Sequence, residues 1–207
     1  MTNRTLVVSI DALITADIPV LKQLPNLGRV MEHASWITDI ECIYPTLTYP
    51  CHATIATGCW PDRTGINNNE IPDFFAKGRM DWYWWREAIQ VPTVVDFARQ
   101  AGLTASTVTW PVMCASGAEY NIGEIWAPRE EDDPTPWFTR ANSPAVAKIF
   151  EANKHMLRWM KTPQMDEFAA KCAADIIRAH RPDLMLLHLS YVDHQRHRLG
   201  VHGDLEH

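Results

Sequence analysis

Two stretches of this chain are almost uninterruptedly apolar, Thr5–Ile10 and Leu184–Leu189. Runs of that length without polar alternation are the pattern of strands covered on both faces of a parallel sheet. Between Trp36 and Ile43 the pattern becomes an alternation, with Ile37, Asp39 and Glu41 set against Trp36, Thr38 and Ile40. That spacing predicts a strand leading toward Thr48. Pro92–Gly102 predicts a helix: proline stands near its start, Val94, Val95, Phe97, Ala98 and Ala101 recur at helical spacing, and Gly102 stops it. Thr104–Trp110 then reads as a strand. Ser143-Pro144 has the form of a cap with proline in the first helical position, and predicts a helix to about Lys161. Thr162-Pro163 repeats the device, with Asp166 and Glu167 in the first turn. Phe168, Ala169, Cys172, Ala173, Ile176 and Ile177 share one face of that helix, which stops near Pro182.

Strands alternating with helices predict an α/β fold with a mainly parallel central sheet flanked by helices. Sites in such sheets lie beyond the carboxyl ends of the strands, where Asp11, Thr48 and Asp193 are all expected. Asn67–Trp85 and Trp126–Trp137 are irregular and aromatic or acidic, and read as loops over that rim. No internal repeat divides the chain, and residues 1–207 are expected to form one domain.

Composition narrows the function. The 207 residues are 46% hydrophobic and 21% charged, with a formal net charge of -6. A globular chain with that balance and no basic stripe is a poor binder of a nucleic-acid backbone. No apolar run approaches a membrane span, and the N-terminal apolar stretch is too short for a signal peptide. Cys42, Cys51, Cys59, Cys114 and Cys172 lack the paired spacing of a metal site. Reduced thiols and a cytoplasmic location are the expectation. Leu205–His207 reads equally as native sequence or as the start of a cloning scar.

The chemistry concentrates around Thr48. Pro50 opens and Gly58 closes a short helix, with Thr48 just ahead of it. A helix N-terminus offers free N–H groups and partial positive charge, which suit a phosphate and an oxygen nucleophile. A threonine hydroxyl needs a metal or a base beside it to react near neutral pH. Asp193 and His197 lie four residues apart, so one helical turn sets both on the same side, at a distance suited to one metal ion.

The segments Val7–Leu13, Pro45–His52, Thr57–Asn69 and Tyr191–Gly200 resemble the nucleotide pyrophosphatase/phosphodiesterase branch of the alkaline phosphatase superfamily, in that family's order. The resemblance implies an alkaline-phosphatase-like domain with two zinc ions, or other divalent metals, around a threonine nucleophile. It makes Thr48 the nucleophile, passing through a phospho-threonine intermediate, and Asn69 a donor to a phosphate oxygen. It makes Asp11 and Thr48 ligands of one metal, and Asp193 and His197 ligands of the other. It places Tyr49 where an aromatic ring stacks on a nucleobase, with His188 near the position of the opposing aromatic. The implied partner is a small phosphate ester, nucleotides among the candidates, and neither a nucleic-acid polymer nor a membrane.

The chain also departs from that pattern. The family continues with an Asp-His pair and a later His, and His202 and His207 stand too close to Asp193 to be those residues, so the chain is expected to be the N-terminal portion of a longer domain whose C-terminal part is missing. Cys51 replaces a usual asparagine. Two alternatives therefore stay open: a phosphonoacetate hydrolase or phosphomonoesterase of the same superfamily, and a non-catalytic binding domain with incomplete metal sites. His52 is expected to hydrogen-bond in the interior, and His33, His155 and His180 to be surface or packing residues. Cys59, at the wrong end of its helix for a nucleophile, is expected to be a buried thiol. Trp82, Trp84 and Trp85 read equally as a substrate lid and as packing, and Glu130–Asp133 as a solvated acidic loop.

Overall fold

A computed structural model describes residues 4–72, 81–125, 133–157 and 162–201. Its elements are β1 (Thr5–Ile10), α1 (Ile18–Leu21), α2 (Pro25–Met31), α3 (Thr48–Thr57), α4 (Pro61–Thr64), α5 (Val94–Gln100), β2 (Ala105–Val108), β3 (Tyr120–Ile122), α6 (Thr135–Ala141), α7 (Ala147–Asn153), α8 (Gln164–His180), β4 (Leu184–Leu189) and α9 (Tyr191–Leu199). The strands form one sheet in the order β1-β4-β2-β3, every pair parallel. Parallel strands share one carboxyl edge, so Asp11, Thr109, Glu124 and Ser190 all emerge on the same rim.

β4 and β2 are the covered strands. Leu184, Met185, Leu186 and Leu187 are buried, as are all four residues of β2. Phe168, Ala169, Cys172, Ala173 and Ile176 of α8 are buried in the same core, as their shared helical face predicts. β1 does not match the expectation of burial on both faces: Leu6 is 51% and Val8 45% exposed. The strand order explains this, because β1 stands at the sheet edge and pairs with β4 alone.

The Trp36–Ile43 strand does not form. The segment is irregular, with Ile37 78% and Ile40 73% exposed. Alternation supplies a two-sided ribbon, but a ladder needs a partner, and none pairs with it among the described residues. Short β3 went unpredicted because three residues, one of them Asn121, carry too little pattern to read. Ser143 does not cap a helix; its hydroxyl donates to the Glu119 carbonyl and accepts from Asn121 N–H, and α7 follows a 3-10 turn at Pro144–Val146 and ends at Asn153. Thr162 likewise makes no cap, and Pro163 itself precedes α8. The expected irregular stretch Trp126–Trp137 becomes helical from Thr135, where the Asp133 carboxylate accepts from Thr135 N–H and Oγ1. Residues 130–132 of the acidic loop lie outside the described residues.

α5 keeps the predicted form, with Thr93 and Asp96 as a reciprocal capping box and Gly102 in the left-handed region. No described helix is long and apolar enough to cross a membrane.

The carboxylate of Asp166, in the first turn of α8, accepts from Ser190 N–H and Tyr191 N–H, both at 2.9 Å. It caps α9 from a neighbouring helix and thereby fixes the element that carries Asp193 and His197. Losing a cap of this kind costs about 1–2 kcal/mol. Asp166→Ala is therefore expected to lower the unfolding free energy by about that amount, read by urea denaturation, whereas Glu167→Ala on the exposed side of the same turn stays near wild type.

Candidate active site

Thr48 begins α3 itself, two residues earlier than Pro50 would open it; the preceding Leu47 is extended, and Cys51 N–H donates to the Leu47 carbonyl at 3.0 Å. The helix ends at Gly58, whose φ of 67° lies in the left-handed region that a residue with a Cβ enters only at a cost. The Thr48 hydroxyl donates to Asp11 Oδ2 at 3.2 Å. Asp11 sits one residue past β1, its N–H bonded to the Leu189 carbonyl. The next residue, Ala12, has φ 57° and donates its N–H to Asp11 Oδ1.

Two further bonds tie α3 to the sheet side, and a third closes within the helix. His52 Nδ1 lies 2.7 Å from the Thr48 carbonyl and Nε2 lies 2.9 Å from Ser9 Oγ. A carbonyl can only accept, so Nδ1 carries the proton and Nε2 receives the serine O–H. Trp110 Nε1 donates to the His52 carbonyl. His52 is thus the interior hydrogen-bonding residue expected from sequence. Asn69 Oδ1 accepts from Tyr49 N–H at 2.9 Å, which turns the Asn69 amide nitrogen away from that bond and leaves it to donate elsewhere.

One cavity of about 220 Å³ collects the predicted residues: Asp11, Thr48, Asp193 and His197 line it, with Trp82, Glu124 and His188. Asp193 and His197 approach to 3.4 Å on α9, as their spacing predicts. Between them on that helix, buried Arg196 donates to the Ala12 carbonyl and to both oxygens of Asp17, tying α9 to the loop after β1. Asn69 is placed at the N-terminus of α3 rather than on the cavity wall.

Tyr49 and His188 take other positions than a stacking pair would need. The Tyr49 ring is 1% exposed and meets Trp82 and Trp84 edge-on, at 5.3 and 6.0 Å. His188 is 2% exposed; its Nδ1 donates to the Thr109 carbonyl at 3.1 Å, and its Nε2 faces Asp11 Oδ2 at 3.5 Å. Both rings line the cavity as part of its floor, held there by these contacts. Of the tryptophans, Trp82 lines the cavity, Trp84 is buried behind it in a stack 5.5 Å away, and Trp85 lies under the Arg140 guanidinium at 4.1 Å. His33 and His155 are exposed, and His180 stacks on Tyr120 at 4.2 Å.

Sequence reading missed Glu124 and Arg196, and took Asp166 only as a first-turn charge of its own helix. Glu124 had one usable signal, a lone carboxylate two residues past β3, and that signal required β3 to be recognised first.

The cavity is rich in carboxylate. Burial raises the Asp11 pKa, but the His188 hydrogen bond, the nearby His188 and His52 rings and the Thr48 hydroxyl outweigh it, and the result lies below the ordinary value. Asp193 moves the other way, pushed up by burial and by repulsion from Asp11. Asp11 and Asp193 thus repel one another across one cavity. The donors are of the right kind for zinc and short in number. Asp11 with Thr48, and Asp193 with His197, give two each, where zinc takes three or four from protein. Among the described residues no three His, Cys, Asp or Glu side chains converge to hold a metal.

Burial lowers the His52 pKa to about 4, so the ring is neutral at pH 7. Burial raises that of Glu124 to about 7, with His188 and Tyr49 opposing and Asp11 and Asp166 adding to the rise. A carboxyl group whose folded pKa exceeds its unfolded value of 4.5 stabilises the fold fully below that pH, and the contribution is lost as pH rises through about 7. Glu124→Gln carries no such charge. Between about pH 5 and pH 8 wild type is expected to lose more stability than Glu124→Gln, a difference denaturation midpoints at the two pH values will show.

The chain is 26% identical over 193 residues to venom phosphodiesterase 2 of Crotalus adamanteus, covering 88% of this chain and 20% of that protein. It is 22% identical over 192 residues to bovine ectonucleotide pyrophosphatase/phosphodiesterase family member 3, covering 86% of this chain and 17% of the relative. In fold it is similar to phosphonoacetate hydrolase from Sinorhizobium meliloti 1021 solved with phosphonoacetate (TM-score 0.64, 19% identity, 93% of this chain and 48% of that one). It is also similar to an inactive murine ectonucleotide pyrophosphatase/phosphodiesterase 5 solved with AMP (TM-score 0.58, 18% identity, 98% and 47%). The chain therefore spans about half of these solved structures and about a fifth of the curated relatives. Residues 5–207 match one family throughout, and the chain belongs to the type I phosphodiesterase/nucleotide pyrophosphatase family.

Proposed function

We propose that this chain carries the nucleophile-bearing part of a hydrolase of phosphodiester or pyrophosphate bonds, with Thr48 as the attacking residue. The observation that carries this reading is the Thr48 hydroxyl held on the Asp11 carboxylate at the N-terminus of α3, in a cavity shared with Asp193 and His197. The helix N-terminus favours a phosphoryl group, and Asn69, held beside that N-terminus by Tyr49 N–H though off the cavity wall, would donate from its amide nitrogen to a phosphate oxygen brought up to the helix end. Thr48 Oγ1 forms a bond to phosphorus as the bond to the leaving oxygen breaks. Water then cleaves the phospho-threonine and restores the hydroxyl.

Asp11, with its pKa held below the ordinary value, is a weak base for the threonine proton. This chemistry calls for a Lewis acid, and metal dependence belongs to the proposal: zinc, when bound, supplies Lewis acidity beside Thr48. Asp11 and Thr48 would hold one ion, and Asp193 and His197 the other. Because each pair is a partial set, no reaction step is assigned to the metal. The substrate is a small phosphate ester, nucleotides included. Trp82 is the aromatic placed to meet it, and Tyr49 and His188 act by positioning Trp82 and Asp11.

The partial donor set favours one second reading, a domain that binds phosphate esters without cleaving them. Hydrolysis of bis-p-nitrophenyl phosphate by the whole protein separates the two. Thr48→Ala is expected to lower kcat by about a thousandfold or more, while Thr48→Ser keeps measurable activity. Unchanged turnover in Thr48→Ala removes the nucleophile. Comparison with p-nitrophenyl phosphate and with phosphonoacetate distinguishes a diesterase from a monoesterase or a phosphonate hydrolase.

The 207-residue chain by itself is expected to bind zinc weakly, with Kd of about 1 μM or higher, since two donors per ion fall short of a closed site. Titration calorimetry reads this directly. Two tightly bound ions per chain would contradict it.

A further inference from the structure

Cys42 and Cys51 bring their sulfurs to 3.4 Å without a bond between them. Their settings differ. Cys51 is half-buried in the first turn of α3, three residues after Thr48 and therefore on the same side of the helix. Burial, then Cys42, then the Asp11 charge push its thiol up. Cys42 is exposed, on the irregular approach to Thr48. From residue 39 to residue 46 no backbone–backbone hydrogen bond holds that approach among the described residues. A disulfide needs sulfurs at about 2.05 Å, so the pair must close by a little over an ångström. Movement on the Cys42 side supplies this while α3 stays in place.

We propose that Cys42 and Cys51 are a reversible redox pair, taking a small disulfide oxidant such as glutathione disulfide, whose closure fastens the approach segment to the first turn of the nucleophile helix. The exposed Cys42 thiolate attacks one sulfur of the oxidant and forms a mixed disulfide. The departing small thiolate takes up the proton that Cys42 released. Cys51 then loses its proton and attacks Cys42 Sγ, which expels the second small thiol. Two protein thiols are oxidised and one small disulfide is reduced to two thiols. The closed ring spans residues 42–51, with Thr48 inside it.

The test needs no activity and stands apart from the hydrolase reading. The chain has five cysteines. After equilibration with glutathione disulfide and removal of excess, unfolding and alkylation are expected to find three free thiols in place of five, with peptide mapping joining Cys42 to Cys51. Dithiothreitol restores all five. Cys59→Ser, which removes the other thiol of α3's far end, still loses two. Cys42→Ser loses no pair. Five thiols persisting in the wild type, Cys42 stopping at the glutathione adduct, or Cys51 joining Cys59 instead would each overturn the pairing. Amide hydrogen exchange over Ile43–Leu47 tests the fastening: closure is expected to slow it roughly threefold or more. Equal exchange in the oxidised and reduced chain would overturn that part.

Discussion

The contact on which the site depends is the hydrogen bond from Thr48 to Asp11, two residues 37 apart in sequence. It exists because two element ends meet: the carboxyl end of β1 delivers Asp11, and the amino end of α3 delivers Thr48. Neither end is free to drift. β1 is in full parallel register with β4, and α3 is held to β1 by His52 bonding Ser9 and to the chain after β2 by Trp110 bonding the His52 carbonyl. His52 performs this task as a neutral ring, which its burial favours.

A second constraint is charge. Asp11, Glu124 and Asp193 face one cavity in a chain with a formal net charge of -6. The fold tolerates them by giving each a different answer. Asp11 stays ionised against His188, Glu124 keeps its proton to about pH 7, and Asp193, with His197 at 3.4 Å, is pushed up by burial and by the Asp11 charge. His188 links the first two, with Nε2 toward Asp11 and Nδ1 3.7 Å from Glu124. An arrangement of this kind attracts cations and repels bare phosphate, so a phosphate ester enters favourably only when positive charge enters with it.

Much of this was legible in the sequence because the signals were local. The apolar run Leu184–Leu189 made a strand, the spacing between Pro92 and Gly102 made a helix, and Asp193 with His197 fell one turn apart, all within reach of neighbours on the chain. The Thr48 box could be read as a helix N-terminus for the same reason, although the helix takes in Thr48 itself. What failed depended on partners distant in sequence. Trp36–Ile43 had the alternation of a strand and no strand to pair with. Leu6 and Val8 were apolar enough for a covered strand but fell at the sheet edge. Ser143 and Thr162 looked like caps, while the carboxylate that caps the site-bearing helix α9 was Asp166, 25 residues before Tyr191. The packing of Tyr49 and His188 against Trp82, Trp84, Thr109 and Asp11 in the cavity floor was likewise out of reach of a local reading.

The central claim is that Thr48 bonds to phosphorus. Rapid acid quenching of the whole protein during turnover of a phosphodiester, followed by peptide mass spectrometry, tests it most directly. The account predicts a substrate-derived phosphoryl group on Thr48 that disappears when substrate is exhausted. A quenched protein that turns over substrate while Thr48 stays unmodified, with the phosphoryl group on another residue or passed straight to water, would contradict it.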